Sequence, residues 1–536
     1  MNVSLRSLAA AVGVPVDEDT MITGIAHDSR RVREGELFVA LPGTKKDGAE
    51  FVDEAVRRGA AAACVGLDAR PKLDGRAIPL LRVENPRAAL ARLAASFYGS
   101  PAGELRMIGV SGTLGKTSTT LIVQAALAAT AGGDGVGVVG SLGARVSGRA
   151  RDRVAGALPD LEGMTTPDAP ALHHALRTMA DAGVRTVAME VTSHALAQNR
   201  VDGITFALGV LTNLVPDEHL DFHGTAENYL ATKARFLDLL APDAPLVFNA
   251  DDRLVRRMVA QSLARQPRPV IGVSLGEAAR VMDKDPDDLA ARDAAVSVEE
   301  LRWDGGGASF VLALKRQLPG LEGSVVPEGG VPIVLPVLGV QQVTNAALAA
   351  AAALVAGASP DAVTHALAEM TPVRRRMEIV RHGSPLVIDD TAGHPDTLRA
   401  VFASIEPMSR SGLRVLFGVR GSRGVEINER LAATLAELLG ERAQEESVRL
   451  VVTWSEDTAL PRDRVTSEER DTVLRTLKTE LGRLPHTAHL EAIPEARLEG
   501  AVKRVLEDVR EDELILLLGA QGMDAAAGIV KKELRV

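Results

Sequence analysis

The sequence predicts an α/β protein with parallel sheets wrapped by helices, and three observations carry that prediction. First, RMIGV (106–110) is a short β-type run, GVSGTLGKTSTT (109–120) is rich in glycine and hydroxyls, and TSTTLIVQAALAAT (117–130) reads as a helix. A strand, a glycine turn and a helix start make a phosphate cradle, because backbone N–H groups, the helix dipole and a lysine all face one anion. Second, TVAMEV (186–191), FALGVLTN (206–213) and PLVFNA (245–250) are strand candidates with helical segments between them, the alternation of a mostly parallel sheet. Third, a further α/β series begins near Arg375, with strands PLVIDD (385–390), RVLFGV (414–419), RLVVTW (449–454) and ELILLLG (513–519).

The remaining elements follow in chain order. MNVSLRSLAAAVGVPVDED has one early arginine and a short apolar run, then turns acidic without a clear cleavage site, so no targeting segment is expected. GELFVALPG (35–43) reads as a strand ending in a turn, FVDEAVRRGAAAACV (51–65) as helix then strand, and SPAGELR (100–106) as a linker. VEELRWDGGGASFVLAL (298–314) reads as a hairpin around DGGG within an antiparallel appendage of about 270–335. AALAAAAALVAGA (346–358) is too short and too alanine-rich to span a bilayer and is expected to be a packed helix. ERAQEESVR (441–449) reads as a solvated helix end or loop, and no internal repeat is seen.

At 536 residues the chain exceeds one domain. Apolar residues make up 46% and charged residues 25%, as in ordinary soluble proteins, while aromatic residues are only 3%, so alanine, leucine and valine must build the cores. A net charge of -10 argues against a nucleic-acid-binding surface but leaves room for a local basic cleft. Cys64 is the only cysteine, which excludes an intrachain disulfide and a cysteine metal cluster and fits a cytoplasmic protein. No membrane insertion is expected, and a monomer is the default expectation.

Within the glycine turn, Gly112 and Gly115 are placed to let the backbone approach phosphates, Lys116 to reach the β/γ oxygens, and Thr117 to hold Mg²⁺. The spacing departs from G-x-x-x-x-G-K-[ST] because Val110 stands where the first glycine belongs. Later strands end in polar residues: Glu190, then Asp217 to His219, then Asn249 to Asp252. Sites in parallel sheets lie beyond the carboxyl ends of strands, so these groups are expected near the phosphate loop, with Glu190 a candidate magnesium carboxylate. In the helix that follows, Leu230, Lys233 and Leu237 share one face. A lysine on such a stripe is expected to snorkel to solvent; a site lysine is the alternative.

These motifs together resemble the Mur ligase family, in its branch that adds the third amino acid of the peptidoglycan stem, the UDP-N-acetylmuramoyl-tripeptide synthetases. HDSRRVREGELFVALPG (27–43), SGTLGKTS, TTPDAP (165–170), MEVTSHALAQNRVDG (189–203), HLDFHGT (219–225), YLATKARF, NADD (249–252), TNAALAAAAA (344–353) and RRME (375–378) follow in family order. The resemblance implies three α/β domains: an N-terminal UDP-binding domain (1–100), a central P-loop ATPase domain (101–374) and a C-terminal Rossmann-like domain on the amine side (375–536). It implies an ATP-dependent ligase that makes an acyl phosphate on a UDP-N-acetylmuramoyl-L-Ala-D-Glu-type acid, joins it to an amino acid, and releases ADP and phosphate. By the same resemblance Gly112, Thr113, Gly115, Lys116, Thr117, Ser118, Asn249, Asn345, Arg376 and Asp389 meet ATP. Thr117, Glu190 and His219 hold magnesium, joined by Lys233 as a carbamate. Ser29 and Arg30 match uridine-side contacts, and Thr165, Thr166, Thr192, Gln198 and Arg200 match contacts to the muramoyl-dipeptide.

The match thins beyond about residue 400. Leu114 stands where the family has Asn, and Met164 where an Asn precedes the threonine pair. VPDEH is one residue longer than usual, as is DDTAGHPD (389–396), and RGSRG (420–424) keeps only Arg423 of a charged stretch. The Asp-Asn-Pro-Arg motif that reads diaminopimelate is replaced by TWSEDTALPRD (453–463), where Arg462 is the candidate substitute, and Gly-Lys-Gly-His-Glu becomes GAQGMD (519–524). A different amine from diaminopimelate is therefore expected. The alternatives are a Mur-type ligase recruited to another acid–amine ligation, as in natural-product or cofactor assembly, and a non-catalytic nucleotide-binding paralogue.

Overall fold

The computed structural model describes residues 1–536 except 44–45, 74–76, 131–134, 149, 155, 160, 162–163, 217–219, 277–293, 305–306, 371–373, 407, 409–410, 422–423, 485–489, 520–521 and 536. Three larger sheets follow one another along the chain. The first has four parallel strands in the order Ile25–Ala26, Leu37–Val39, Ala62–Gly66 and Leu80–Val83. The helix Pro86–Phe97 covers it. Asn85 caps that helix by accepting from the N–H groups of Arg87 and Ala88, and Pro86 opens its first turn.

The central sheet has ten strands. Across it run Gly329–Leu335, Gly307–Leu314, Val296–Asp304, Val270–Ser274, Leu246–Asn249, Leu208–Leu211, Arg106–Ser111, Thr186–Val191, Val136–Gly140 and Gly143–Val146. From Val136–Gly140 to Val296–Asp304 the pairing is parallel. The expected hairpin forms, since Val296–Asp304 and Gly307–Leu314 pair antiparallel. It is not a separate appendage, however. Val296–Asp304 also pairs in parallel with Val270–Ser274, so the hairpin continues the central sheet to its edge.

Alanine builds the core under this sheet. In the helix Val340–Val355, Val340 and every residue from Val343 to Val355 are buried. Alanine has the strongest helix propensity and the smallest Cβ cover, so this helix lies close against Lys116–Thr130. Ile122, Val123 and Ala126 share a core with Ala346 to Ala353.

The third sheet has six strands in the order Glu378–Arg381, Leu386–Asp390, Glu513–Leu518, Gly412–Gly418, Ser447–Thr453 and Ala492–Glu495, all parallel after the first pair. The stretch 441–449 is less solvated than expected: Arg442 pairs with Glu446, whose side chain is only 5% exposed.

One core group is at odds with its surroundings. His173, on the helix Ala169–Asp181, is fully buried and neither ring nitrogen has a partner. Burial alone pushes its pKa down to about 4 from 6.5. A folded-state pKa below the unfolded one gives stability that is complete above pH 6.5 and lost as pH falls toward 4. In denaturant melts, wild type is expected to lose about 2 kcal/mol more than His173→Leu between pH 7.5 and pH 5. An equal pH response in the two proteins would remove this account.

Candidate active site

The phosphate loop is shaped by its neighbours. Gly112 (φ +139°) and Gly115 (φ +81°) take backbone conformations that side chains avoid. A Cβ at Gly112 would sit 2.0 Å from Thr212 Oγ1, and one at Gly115 would sit 2.1 Å from Asn345 Oδ1. The glycines thus admit Thr212 and Asn345 as well as a ligand. The N–H groups of Thr113 and Leu114 donate to Asn213 O and Oδ1 at 2.9 and 2.8 Å. The helix Lys116–Thr130 begins directly after the loop, so its N-terminal end, where backbone N–H groups point out along the axis, faces the same space. Lys116 Nζ curls back and donates to Gly112 O (3.0 Å) and Thr113 O (2.6 Å).

Glu190, 2% exposed, closes its strand beside this helix. Its Oε2 accepts from Thr117 Oγ1 (2.9 Å), and its Oε1 accepts from the Ser141 N–H (2.8 Å). Ser141 Oγ in turn donates to Thr165 Oγ1 at 3.0 Å. A carboxylate and three hydroxyls are thereby gathered at the start of the helix.

Lys233 corrects the snorkelling expectation. It is 2% exposed, and its Nζ donates to Gly112 O at 2.6 Å. The buried face of Ala226–Asp238 is Tyr229, Lys233, Phe236 and Leu237, with Leu230 only partly buried. Burial, then the neighbouring Lys116, hold the Lys233 amine well below its usual pKa. Tyr229 OH shares a 2.6 Å hydrogen bond with Thr113 Oγ1 and steadies the loop from the same helix.

Gly112 to Thr117, Glu190 and Lys233 line one cavity together with Thr165, Thr166, Thr192 and Arg200. Thr166 Oγ1 donates to Glu190 O (2.9 Å) and accepts from the Thr192 N–H (3.2 Å). Arg200 donates to Thr166 O (2.7 Å) and is gripped by Gln198 Oε1 at 3.0 and 2.7 Å, so Gln198 acts on this cavity through Arg200. Desolvation lowers the Arg200 pKa.

A second cavity adjoins the first and shares Gly115, Thr117 and Arg376 with it. Ser118, Asn345 and Asp390 also line it. Asn345 is 2% exposed, and its Oδ1 has no partner. Asp389 does not line it. Successive strand residues face opposite sides, so Asp389 turns away to Arg375, whose Nε donates to it at 3.2 Å. Burial pushes the Asp389 carboxyl up to about 6, against the pull of Arg375.

Several expected residues lie apart from both cavities. Asn249 Oδ1 accepts from the Asp251 N–H, and Asp252 caps the helix Arg253–Arg265 and accepts from the Leu214 N–H. Ser29 donates to Glu54 Oε2 (2.8 Å), and Arg30 forms an exposed pair with Asp28 whose charge holds that carboxyl near a pKa of about 2. His219 and Arg423 lie outside the described residues, and so does the side chain of Arg462, whose backbone sits in the short turn Pro461–Asp463. Ser141, His194, Tyr229 and Asp390 were missed as cavity residues. Ser141 carried the signal used for Glu190, a polar residue closing an apolar strand.

Comparison with known proteins agrees with this arrangement. The Mur ligase family catalytic domain matches residues 21–98, the Mur ligase middle domain 110–353, and the Mur ligase glutamate ligase domain 375–521. A UDP-N-acetylmuramoyl-L-alanyl-D-glutamate–2,6-diaminopimelate ligase of Xanthomonas oryzae pv. oryzae is 34% identical over 442 residues, covering 82% of this chain and 80% of that protein. The chain belongs to the Mur ligase family. A UDP-N-acetylmuramyl-tripeptide synthetase of Roseiflexus sp. is 35% identical over 408 residues, 75% of this chain and 74% of that protein. The structure of MurF ligase from Thermotoga maritima in complex with ADP shares the fold with a TM-score of 0.59 at 19% identity, covering 96% of this chain and 98% of that one. As a Mur ligase the chain is an ATP-dependent ligase. Among the described residues no helix is long and apolar enough to cross a membrane.

The geometry makes Lys116 and Glu190 interdependent through one helix turn. Lys116→Ala and Glu190→Gln are each expected to cut ATP turnover by about 100-fold or more, read as ADP release, with melting temperatures near wild type. Turnover within about threefold of wild type in either variant would break this assignment.

Proposed function

We propose that this Mur ligase forms an amide bond between a UDP-N-acetylmuramoyl-L-Ala-D-Glu-type acid and an amino acid in the cytoplasm, with the work divided among segments 1–100, 101–374 and 375–536. The observation that carries the reading is the single cavity that holds both the phosphate loop and the Thr165, Thr166, Thr192 and Arg200 group. An acid held by Arg200 and a γ-phosphate held by Lys116 meet there.

The chemistry needs two anions brought together, so cations must surround them. Lys116 leaves its loop carbonyls for the β/γ oxygens, and Arg376 approaches from the shared wall of the two cavities. The acid's carboxylate oxygen attacks the γ-phosphorus and ADP departs, leaving an acyl phosphate. The amino acid nitrogen then attacks the acyl carbon, the C–O bond to phosphate breaks, and the nitrogen sheds a proton. Thr117 Oγ1 and the Glu190 carboxylate form a hard-oxygen pair of the kind Mg²⁺ takes alongside phosphate oxygens and water. When bound there, the ion supplies charge neutralisation on the phosphates. The Lys233 amine, its pKa lowered by burial, is suited to add to CO₂ and release a proton, which turns a buried donor into an anionic carbamate facing the same loop.

The amine side differs from the relatives named for diaminopimelate. Three groups of the segment that replaces the usual reading motif are spent internally. Trp454 Nε1 donates to Glu456 (2.6 Å), Asp457 accepts from the Leu498 N–H (2.7 Å), and Thr458 Oγ1 donates to Gly522 O (2.6 Å). This supports an amine without the second carboxylate that such a motif reads.

The test is ADP release with UDP-N-acetylmuramoyl-L-alanyl-D-glutamate and each amino acid in turn, with products identified by mass. One amine is expected to stimulate release and give an amide; no product with any amine overturns the reading. Lys233→Ala is expected to lose activity and regain part of it with short carboxylates such as formate or acetate. Full activity of that variant without additive removes the carbamate.

A further inference from the structure

The segment that enters the C-terminal sheet carries two side-chain residues in left-handed conformation, Arg375 (φ +58°) and Met377 (φ +53°), on either side of Arg376. Such a conformation is costly for a residue with a side chain and persists only where the surroundings over-determine it. The surroundings do so here. The Arg375 N–H donates to Glu378 Oε2 at 2.8 Å, its carbonyl accepts from the Thr391 N–H at 3.1 Å, and the Met377 N–H donates to Asp390 Oδ2 at 2.8 Å. The Arg375 guanidinium, 4% exposed, is shared among three acceptors. It donates to Asp389 Oδ1 (3.2 Å), to Asp524 Oδ1 (2.7 Å) and to the carbonyl of Gly519.

These acceptors belong to two paired strands. Asp389 lies opposite Leu517 in parallel register, and Gly519 follows the end of that second strand. Arg375 therefore staples the carboxyl ends of both, where sites of parallel sheets form. Arg374 adds a bond to Asp524 O at 2.6 Å. The Asp524 side chain remains 73% exposed, open to a cation from the amine side. Between its two left-handed neighbours Arg376 is thrown outward, onto the wall shared with Gly115 and Thr117.

We infer that Arg375 is a positioning residue: it fixes the place of Arg376 over the nucleotide by clamping the entry segment to Asp524, and so ties nucleotide grip to the amine side of the C-terminal sheet. The inference rests on the nucleotide part of the reading above, not on which acid or amine is joined. A guanidinium is required because one planar fork serves three acceptors at once, which an ammonium does not.

The test is equilibrium binding of a non-hydrolysable ATP analogue to wild type and to Lys116→Ala, Arg376→Ala, Arg375→Ala, Arg375→Lys and Asp524→Asn, each checked for a native melt. Arg376→Ala is expected to weaken binding about tenfold, as loss of one charge-assisted contact does. Arg375→Ala and Asp524→Asn are expected to approach that loss without touching the nucleotide, Arg375→Lys to recover only part of it, and the double variant Arg375→Ala/Asp524→Asn to be no worse than Arg375→Ala. A purely structural role would lower the melt and leave the analogue affinity of folded protein unchanged. Binding by Arg375→Ala within about twofold of wild type, while Arg376→Ala weakens it, overturns the inference. Should Arg375→Ala fail to fold, the exposed Asp524→Asn decides alone: wild-type affinity there overturns the clamp. An unaltered affinity in Arg376→Ala overturns it as well, and an unaltered affinity in Lys116→Ala instead sinks the nucleotide site itself.

Discussion

Two amines share one carbonyl at the centre of this protein. Lys116 Nζ and Lys233 Nζ both donate to Gly112 O, at 3.0 and 2.6 Å. Two ammonium groups so close, one of them fully buried, repel strongly in a medium of low dielectric. Burial, then the charge of Lys116, therefore hold the Lys233 amine well below its usual pKa. The loop must pass between them with its carbonyl exposed to both, which explains why residue 112 is a glycine pressed on Thr212. The sheet, the helix Ala226–Asp238 and the alanine helix are arranged around that crossing.

The same economy extends outward. The loop's middle N–H groups, those of Thr113 and Leu114, are occupied by Asn213, and the helix start follows them directly. Lys116 donates to the loop's own carbonyls, so the backbone solvates its amine. A chain with a net charge of -10 thus keeps a small set of cations concentrated on one wall. Concentration in a cleft, rather than overall charge, is what draws an anionic substrate.

The legible part of the site was the part written in consecutive residues. A strand, a glycine turn and GKT name their own geometry, and Glu190 announced itself as a charge at the end of an apolar run. Lys233 was harder, because a stripe of period 3.6 identifies a face but not whether that face meets solvent or core; the inward set proved to be Tyr229, Lys233, Phe236 and Leu237. Asp389 and Asp390 show a sharper limit. One residue of register exchanges the two faces of a strand, and the inserted residue in DDTAGHPD gave no sign of which aspartate would face the cavity. The edge hairpin was readable as a hairpin, while its union with the central sheet depended on a long-range pairing to Val270–Ser274 that no local pattern encodes.

Divergence in this chain follows a physical division between charge and packing. In the function proposed above, the charged groups of the first cavity each handle an anion: phosphate on Lys116, a carboxyl on Arg200. The amine side has no such fixed demand. There, Asp457 accepts from the Leu498 N–H and Thr458 is tied to Gly522, so these groups serve as internal supports. A side chain that serves as a cap has its lone pairs filled and cannot also read a substrate without losing the cap. Side chains used this way stiffen the strand ends, and the arginine fork at residue 375 ties the entry segment of the C-terminal sheet to Asp389, Gly519 and Asp524 in the same manner.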